Sequence, residues 1–251
     1  MTEPGFPERR SPLAVPFAAA ELGPASPDGL ILATTGDRVL VLKVSGSTLT
    51  PTESAPMPHG QTLLPACFGG HGRPVFADAE SLTLVELTDD RTRPFSDVEF
   101  TLGECAPLAD GRTLVAVDGG GLVADGADGS STRVVGIRGR HLSGGGGLVA
   151  MTDPASELGA AVVHRATVSN DGVLGTEIGR VAGRGPERIV NAQLSPDGGW
   201  LAVVLAIETG ADPEAEPDAR LRLYRVSDDR LTRLADLVLE VGARITLLPG
   251  Q

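Results

Sequence analysis

The residues able to do chemistry are four histidines, two cysteines and a scatter of carboxylates, and their spacing decides what chemistry to expect. Asp125 and Asp128 lie on the segment ADGADG, the arrangement in the chain most like a calcium loop, with hard oxygen donors on a glycine-rich backbone. A calcium loop brings more oxygen ligands at alternate positions, so β-turn chemistry is the preferred reading of this pair. His59, His71, His141 and His164 are dispersed. The glycine runs at 119–121 and 144–147 look like phosphate cradles. A cradle leads into a helix N-terminus, however, and both runs here lead into strand-like sequence. The stretch ETGADPEAEPDA at 208–219 carries Glu208, Asp212, Glu214, Glu216 and Asp218 with two prolines and no base. It reads as a solvated loop, or as a docking finger for a basic partner, in which case these five are the partner-binding residues.

No GxSxG elbow, HExxH pair or P-loop occurs. The expectation is therefore no catalytic residue, no cofactor and no metal site beyond the weak Asp125/Asp128 candidate. The chain reads as a binder more than as an enzyme.

The elements that must position these residues come from 251 residues with 33 acidic against 21 basic side chains, a net charge of −12. That balance excludes a general nucleic-acid binder, which presents clustered positive charge to phosphates. Aromatics are 3% of a chain that is 41% hydrophobic, so the core must rest on Val, Leu, Ile and Ala. The longest apolar runs, such as LAVVLAI at 201–207, fall far short of the roughly 20 residues of a membrane span. Arg9-Arg10 before LAVPFAAA imitates a twin-arginine export signal, but the apolar stretch is broken by Pro16 and ends at Glu21. The expected location is the cytoplasm, with export to the periplasm or outside as the alternative.

Self-similarity organises the rest. AQLSPDGGWLAVV at 192–204 has fainter copies in GPASPDGLILATT (23–35) and APLADGRTLVAVD (106–118), and degenerate ones in ACFGGHGRPVFAD (66–78) and RHLSGGGGLVAMT (140–152). The shared glycines are Gly29, Gly72, Gly111, Gly145 and Gly198, a loose period of about forty residues, which suits a four-stranded propeller blade. Each unit reads as strand, turn, strand: proline presets φ and Asp-Gly closes the hairpin. A period-two strand follows, as in RVLVLKV (38–44) and RLRLYRV (220–226), where Leu221 and Leu223 would be buried and Arg220 and Arg222 wetter. A more polar fourth strand then suits an outer edge. The segment 231–240 fits strand better than a short helix.

The SPDG-x-x-LAV unit with its later L-x-L-Y-x-V strand resembles bacterial β-propellers of the WD-repeat and TolB-like kind. The match is good at Ser195–Val203, fair at Ser26–Thr34 and Ala109–Val117, and lacks the Trp-Asp and Gly-His marks of strict WD repeats. The expected fold is one all-β propeller over residues 1–251 with five four-stranded antiparallel blades, six or seven being the alternatives. ARITLLPGQ (243–251) echoes the start of another unit, so the ring is expected to close by sharing a blade between it and residues near Leu13–Ala19. Cys67 and Cys105 fall on neighbouring innermost strands. Blades diverge enough that two buried thiols, not a disulfide, are expected. His71 and His141 lie near inner-strand turns of different blades; solvated loop histidines are the preferred reading, and a pair facing one rim of the central channel is the alternative. The function expected is a protein–protein interaction scaffold or subunit of a larger complex. The alternative is a hydrolase- or lactonase-like enzyme, or a small-molecule binder, with its site at the channel mouth.

Overall fold

The structure, a computed structural model, describes residues 21–45, 48–88, 91–95, 98, 101–126, 130–207, 218–227 and 230–239. Their twenty strands form five four-stranded antiparallel sheets. Blade one is β1 (Glu21–Ala25), β2 (Leu30–Thr34), β3 (Arg38–Ser45) and β4 (Thr48–Pro56). Blade two is β5 (Leu63–Phe68), β6 (Pro74–Asp78), β7 (Leu84–Thr88) and β8 (Arg91–Pro94). Blade three is β9 (Thr101–Pro107), β10 (Thr113–Val117), β11 (Gly121–Asp125) and β12 (Ser131–Arg133). Blade four is β13 (Arg140–Gly145), β14 (Leu148–Thr152), β15 (Ala160–Arg165) and β16 (Glu177–Ala182). Blade five is β17 (Glu187–Leu194), β18 (Trp200–Ile207), β19 (Asp218–Ser227) and β20 (Arg230–Val238). Within every sheet the spatial order is the sequence order, and the first strands β1, β5, β9, β13 and β17 neighbour one another in turn. This is the five-bladed β-propeller that the glycine series predicts. The helical pieces among the described residues are single 3-10 turns at Gly70–Gly72 and Asp118–Gly120.

Burial follows from stacking the blades face to face. Second and third strands are covered on both faces, and β14 is buried at all five positions. Outer strands such as β8 and β20 are largely exposed. Four apolar clusters bridge successive blades. Leu32, Val39 and Val41 of blade one, for example, meet Leu63, Phe76 and Val85 of blade two. A fifth cluster, Ile31, Ala33, Leu40, Leu42 and Leu49, has all its described members in blade one. Aliphatic side chains dominate throughout, as the scarcity of aromatics requires.

The first turn of each blade carries the repeat signature. In blade five, Gly198 takes φ +73° and its N–H donates to Ser195 O at 2.8 Å. Ser195 is buried; its Oγ accepts from Trp200 N and donates to Asp197 Oδ1. The recurring serine and aspartate are therefore turn-closing residues. In blade four the left-handed position moves from the aligned Gly145 to Gly146 and Gly147.

Three expectations are corrected. Cys67 and Cys105 form a disulfide with Cα atoms 5.6 Å apart, and not two thiols. The inner strands converge toward the axis, and irregular pairing in β5 beside Cys67 and in β9 beyond Cys105 lets them approach. Arg222 lies on a buried face, 7% exposed, because ion pairs satisfy it there, while Leu223 is only partly buried. His71 and His141 lie at opposite ends of their inner strands, one after β5 and one near the start of β13, so they do not share a rim. The closing strand expected from residues 13–19 and 243–251 lies outside the described residues.

Candidate functional site

The inner strands enclose a central cavity of about 610 Å³. Its wall is built largely of small residues, including Ala25, Ala66, Gly103, Gly144 and Ala192. The turns at its mouth lock onto one another. Gly70 N donates to Thr113 Oγ1 at 2.7 Å, Ala109 N to Ala166 O at 2.7 Å and Gly146 N to Pro196 O at 3.0 Å.

Glu104 of β9 and His141 of β13 meet in this wall. The His141 backbone N–H donates to Glu104 Oε2 at 2.5 Å, and Nδ1 stands 3.5 Å from Oε1. His141 holds φ +52°, a strained value for a residue with a Cβ. A carboxylate beside an imidazole can orient the ring and exchange a proton with a ligand in the channel.

The other sequence candidates separate. His71 wedges between turns, its Nε2 filling the space where a Cβ on Gly111 would stand. His164 is buried, with Nδ1 2.9 Å from Gly175 O. His59 lies on the exposed link between blades one and two. The glycine runs at 119–121 and 144–147 form hairpin connections. Asp125 is the last residue of β11, 5% exposed and opposite Thr113 and Ser131 in register, so it belongs to the sheet and not to a loop. Asp128 lies outside the described residues. No group of three potential metal ligands occurs among the described residues. Asp218 begins β19 opposite Ile207 and is exposed. Glu208, Asp212, Glu214 and Glu216 fall outside the described residues.

A second cavity, also about 610 Å³, opens between blades four and five. It is bordered by Arg180, Arg184, Arg220, Arg222 and Arg233, by Glu187 and Tyr224, and by Val181, Pro186, Ile207 and Leu231. Arg222 donates two hydrogen bonds to Glu187, at 2.7 and 3.1 Å, and its Nε donates to Asp236 at 2.9 Å. Arg233 also donates to Asp236. These bonds hold the Glu187 and Asp236 carboxyls below their ordinary range and push the Arg222 guanidinium up. Arg180 is taken by Asp153 and Glu177, which raise its pKa. Sequence reasoning missed this groove. Its signal is the alternation Arg220, Arg222, Tyr224 on one strand face, which gains meaning only once β16 is known to face it.

No protein-family model matches the chain, and no curated protein sequence does. Solved structures do. A TolB-type protein from Agrobacterium tumefaciens is similar with a TM-score of 0.57 at 14% identity, over 88% of this chain and 82% of that one. A chain of the mitotic checkpoint complex gives 0.53 at 10% identity, over 91% and 82%. A chain of Kuenenia stuttgartiensis hydrazine synthase gives 0.53 at 13%, over 84% and 64%. At these identities the likeness shows the fold alone. The protein is a five-bladed β-propeller.

Proposed function

We propose that this protein is a non-catalytic interaction scaffold that docks another protein through its fifth blade. The observation that carries this reading is the apolar surface of that blade. Leu234 is 48% exposed, Leu237 42% and Val238 78%, all three on its outermost strand β20. Large apolar side chains gathered on one element mark interaction sites, whereas isolated ones are ordinary. Interlocked turns and face-to-face blades make the ring a rigid support for such a surface, and propellers carry function on their periphery and loops. The similarity to a chain of the mitotic checkpoint complex is in keeping with protein partners.

The test is co-purification of the tagged full chain from its native host, with stoichiometry read by mass spectrometry. A stoichiometric partner that is lost from a folded Leu234→Ser/Leu237→Ser variant supports the reading. Its absence with the wild-type chain overturns it.

The Glu104–His141 contact favours a second reading, a small-molecule site in the channel. A rise in melting temperature with calcium or a metabolite, abolished by Glu104→Gln, would establish it.

On location, the Cys67–Cys105 bond supports an oxidising compartment, because such bonds are rare where glutathione and thioredoxin keep thiols reduced. This favours the exported alternative over the cytoplasm. Alkylation of protein from intact cells, followed by mass measurement, reads the state of both cysteines directly.

A further inference from the structure

We propose that the groove between blades four and five is a docking site for an extended segment of another protein in which carboxylates alternate with apolar side chains. The proposal rests on the scaffold reading and names the chemistry of the partner.

The groove contrasts in charge with the molecule around it. The chain carries −12 overall, yet five arginines and a single carboxylate, Glu187, border this cavity. Three of the arginines are already matched: Arg222 by Glu187 and Asp236, Arg233 by Asp236, and Arg180 by Asp153 and Glu177. No carboxylate of a described residue lies within ion-pair range of Arg184 or Arg220. Arg220 Nε is also buried without a hydrogen-bond partner. A shielded donor left unbonded is costly, and native structures seldom keep one without a reason.

That Nε–H is one tooth of the fork with which a guanidinium grips a carboxylate through two parallel hydrogen bonds. Arg222 cannot compete for an incoming anion, since its own fork is filled. Its carboxylate partners fix it in place, and Arg220 stands two residues away on the same face of β19. Arg184 faces the groove from the link between β16 and β17. Two unmatched cations therefore border the groove, one on a strand of blade five and one on the link that enters that blade.

The remaining lining sets the rest of the ligand. Val181, Pro186, Ile207 and Leu231 supply an apolar floor. A lone oxyanion would leave that floor and most of the 610 Å³ empty. A strand-like segment meets both demands, because successive side chains point to opposite sides and alternate residues share one. Val238 of β20, exposed and opposite Arg220 in register, extends the apolar surface beyond the cavity.

The experiment is fluorescence anisotropy of a fluorescein-labelled decapeptide of alternating glutamate and leucine, titrated with the intact protein. The comparison proteins are Arg184→Met/Arg220→Met and Arg38→Met, the last a charge removed from blade one. Circular dichroism melts establish that each variant folds. The expected result is micromolar binding, weakened about tenfold or more in the double variant and unchanged in Arg38→Met, with no binding of an alternating lysine–leucine peptide. Equal binding to the wild type and the double variant, or no binding at all, overturns the proposal. So does displacement of the peptide by inorganic phosphate at much lower concentration, which assigns the groove to a small oxyanion. A native partner that co-purifies equally with the wild type and the double variant overturns this site and leaves the scaffold reading standing. Peptide binding that depends on the two arginines, with no native partner recovered, does the reverse.

Discussion

Arg222 and Glu187 face each other in blade five through two hydrogen bonds, 2.7 and 3.1 Å, although one sits on the innermost strand and the other on the third. Asp236 on the outermost strand completes the bridge, so one guanidinium ties together three of the blade's four strands.

That arrangement makes stability depend on acid. Glu187 and Asp236 have native pKa values below their ordinary 4.5 and 3.8, so the unfolded chain binds protons more readily as pH falls. Their contribution is fully present above the ordinary carboxylate range and is lost as pH drops through the lowered native values. Asp78, Asp110 and Asp153 are shifted the same way and add to the effect. Urea midpoints measured from pH 7 to pH 3 should fall steeply at the acid end. In Arg222→Met the curve should start lower and fall less.

The disulfide predicts a redox-dependent melt. Closing a loop across a sequence separation of 38 restricts the unfolded chain, which in the loop-entropy account is worth about 3–4 kcal/mol. Dithiothreitol, or Cys67→Ser/Cys105→Ser, should lower the denaturation midpoint accordingly. A midpoint indifferent to reductant would show that the bond does not form in the protein as purified.

Gly198 is expected to be intolerant of side chains. It holds φ +73°, and a Cβ there would stand 2.8 Å from Gly145 O of blade four. Gly198→Val should cost about 2–3 kcal/mol in strain alone, before the clash. Gly29 has nearly the same φ, +76°, with open space around its Cβ position, so Gly29→Val isolates the strain. The difference between the two melts measures the inter-blade contact.

Glu86 should behave as a buried keystone of blade two. It is 4% exposed and bonded to Arg73 and Arg93, and Arg73 stacks over Phe95 with its Nη2 already unbonded. Glu86→Ala strands Arg73 and should cost about 3 kcal/mol, whereas Glu86→Gln keeps an acceptor and should cost less. Chemical denaturation of the two variants side by side checks this.

The fold was legible because its signals are local. Ser195-Pro196-Asp197-Gly198 states a turn within four residues, and the period of about forty states how often it recurs. Strand alternation states which residues pair. The groove and the disulfide were not legible because both depend on how one blade stands against the next. Arg222 looks like a wet-face residue until Glu187, thirty-five positions earlier, is seen to meet it. The repeat alignment puts Cys67 and Cys105 on adjacent inner strands, but their 5.6 Å separation reflects irregular strand pairing that no such alignment reveals. Within the channel, the Glu104–His141 contact likewise joins two blades.

Each blade being drawn from one unbroken stretch of chain has a consequence for synthesis. A chain emerging end first, from a ribosome or through a translocase, can finish each four-stranded sheet before the next begins, with contacts that are mostly short in sequence. Cys105 arrives with the first strand of blade three, when blades one and two are already out. The covalent link can therefore fasten the leading part of the ring while blades four and five, which carry both the apolar strand and the arginine groove, are still to come. The docking surface would then be assembled last, on a base already clamped.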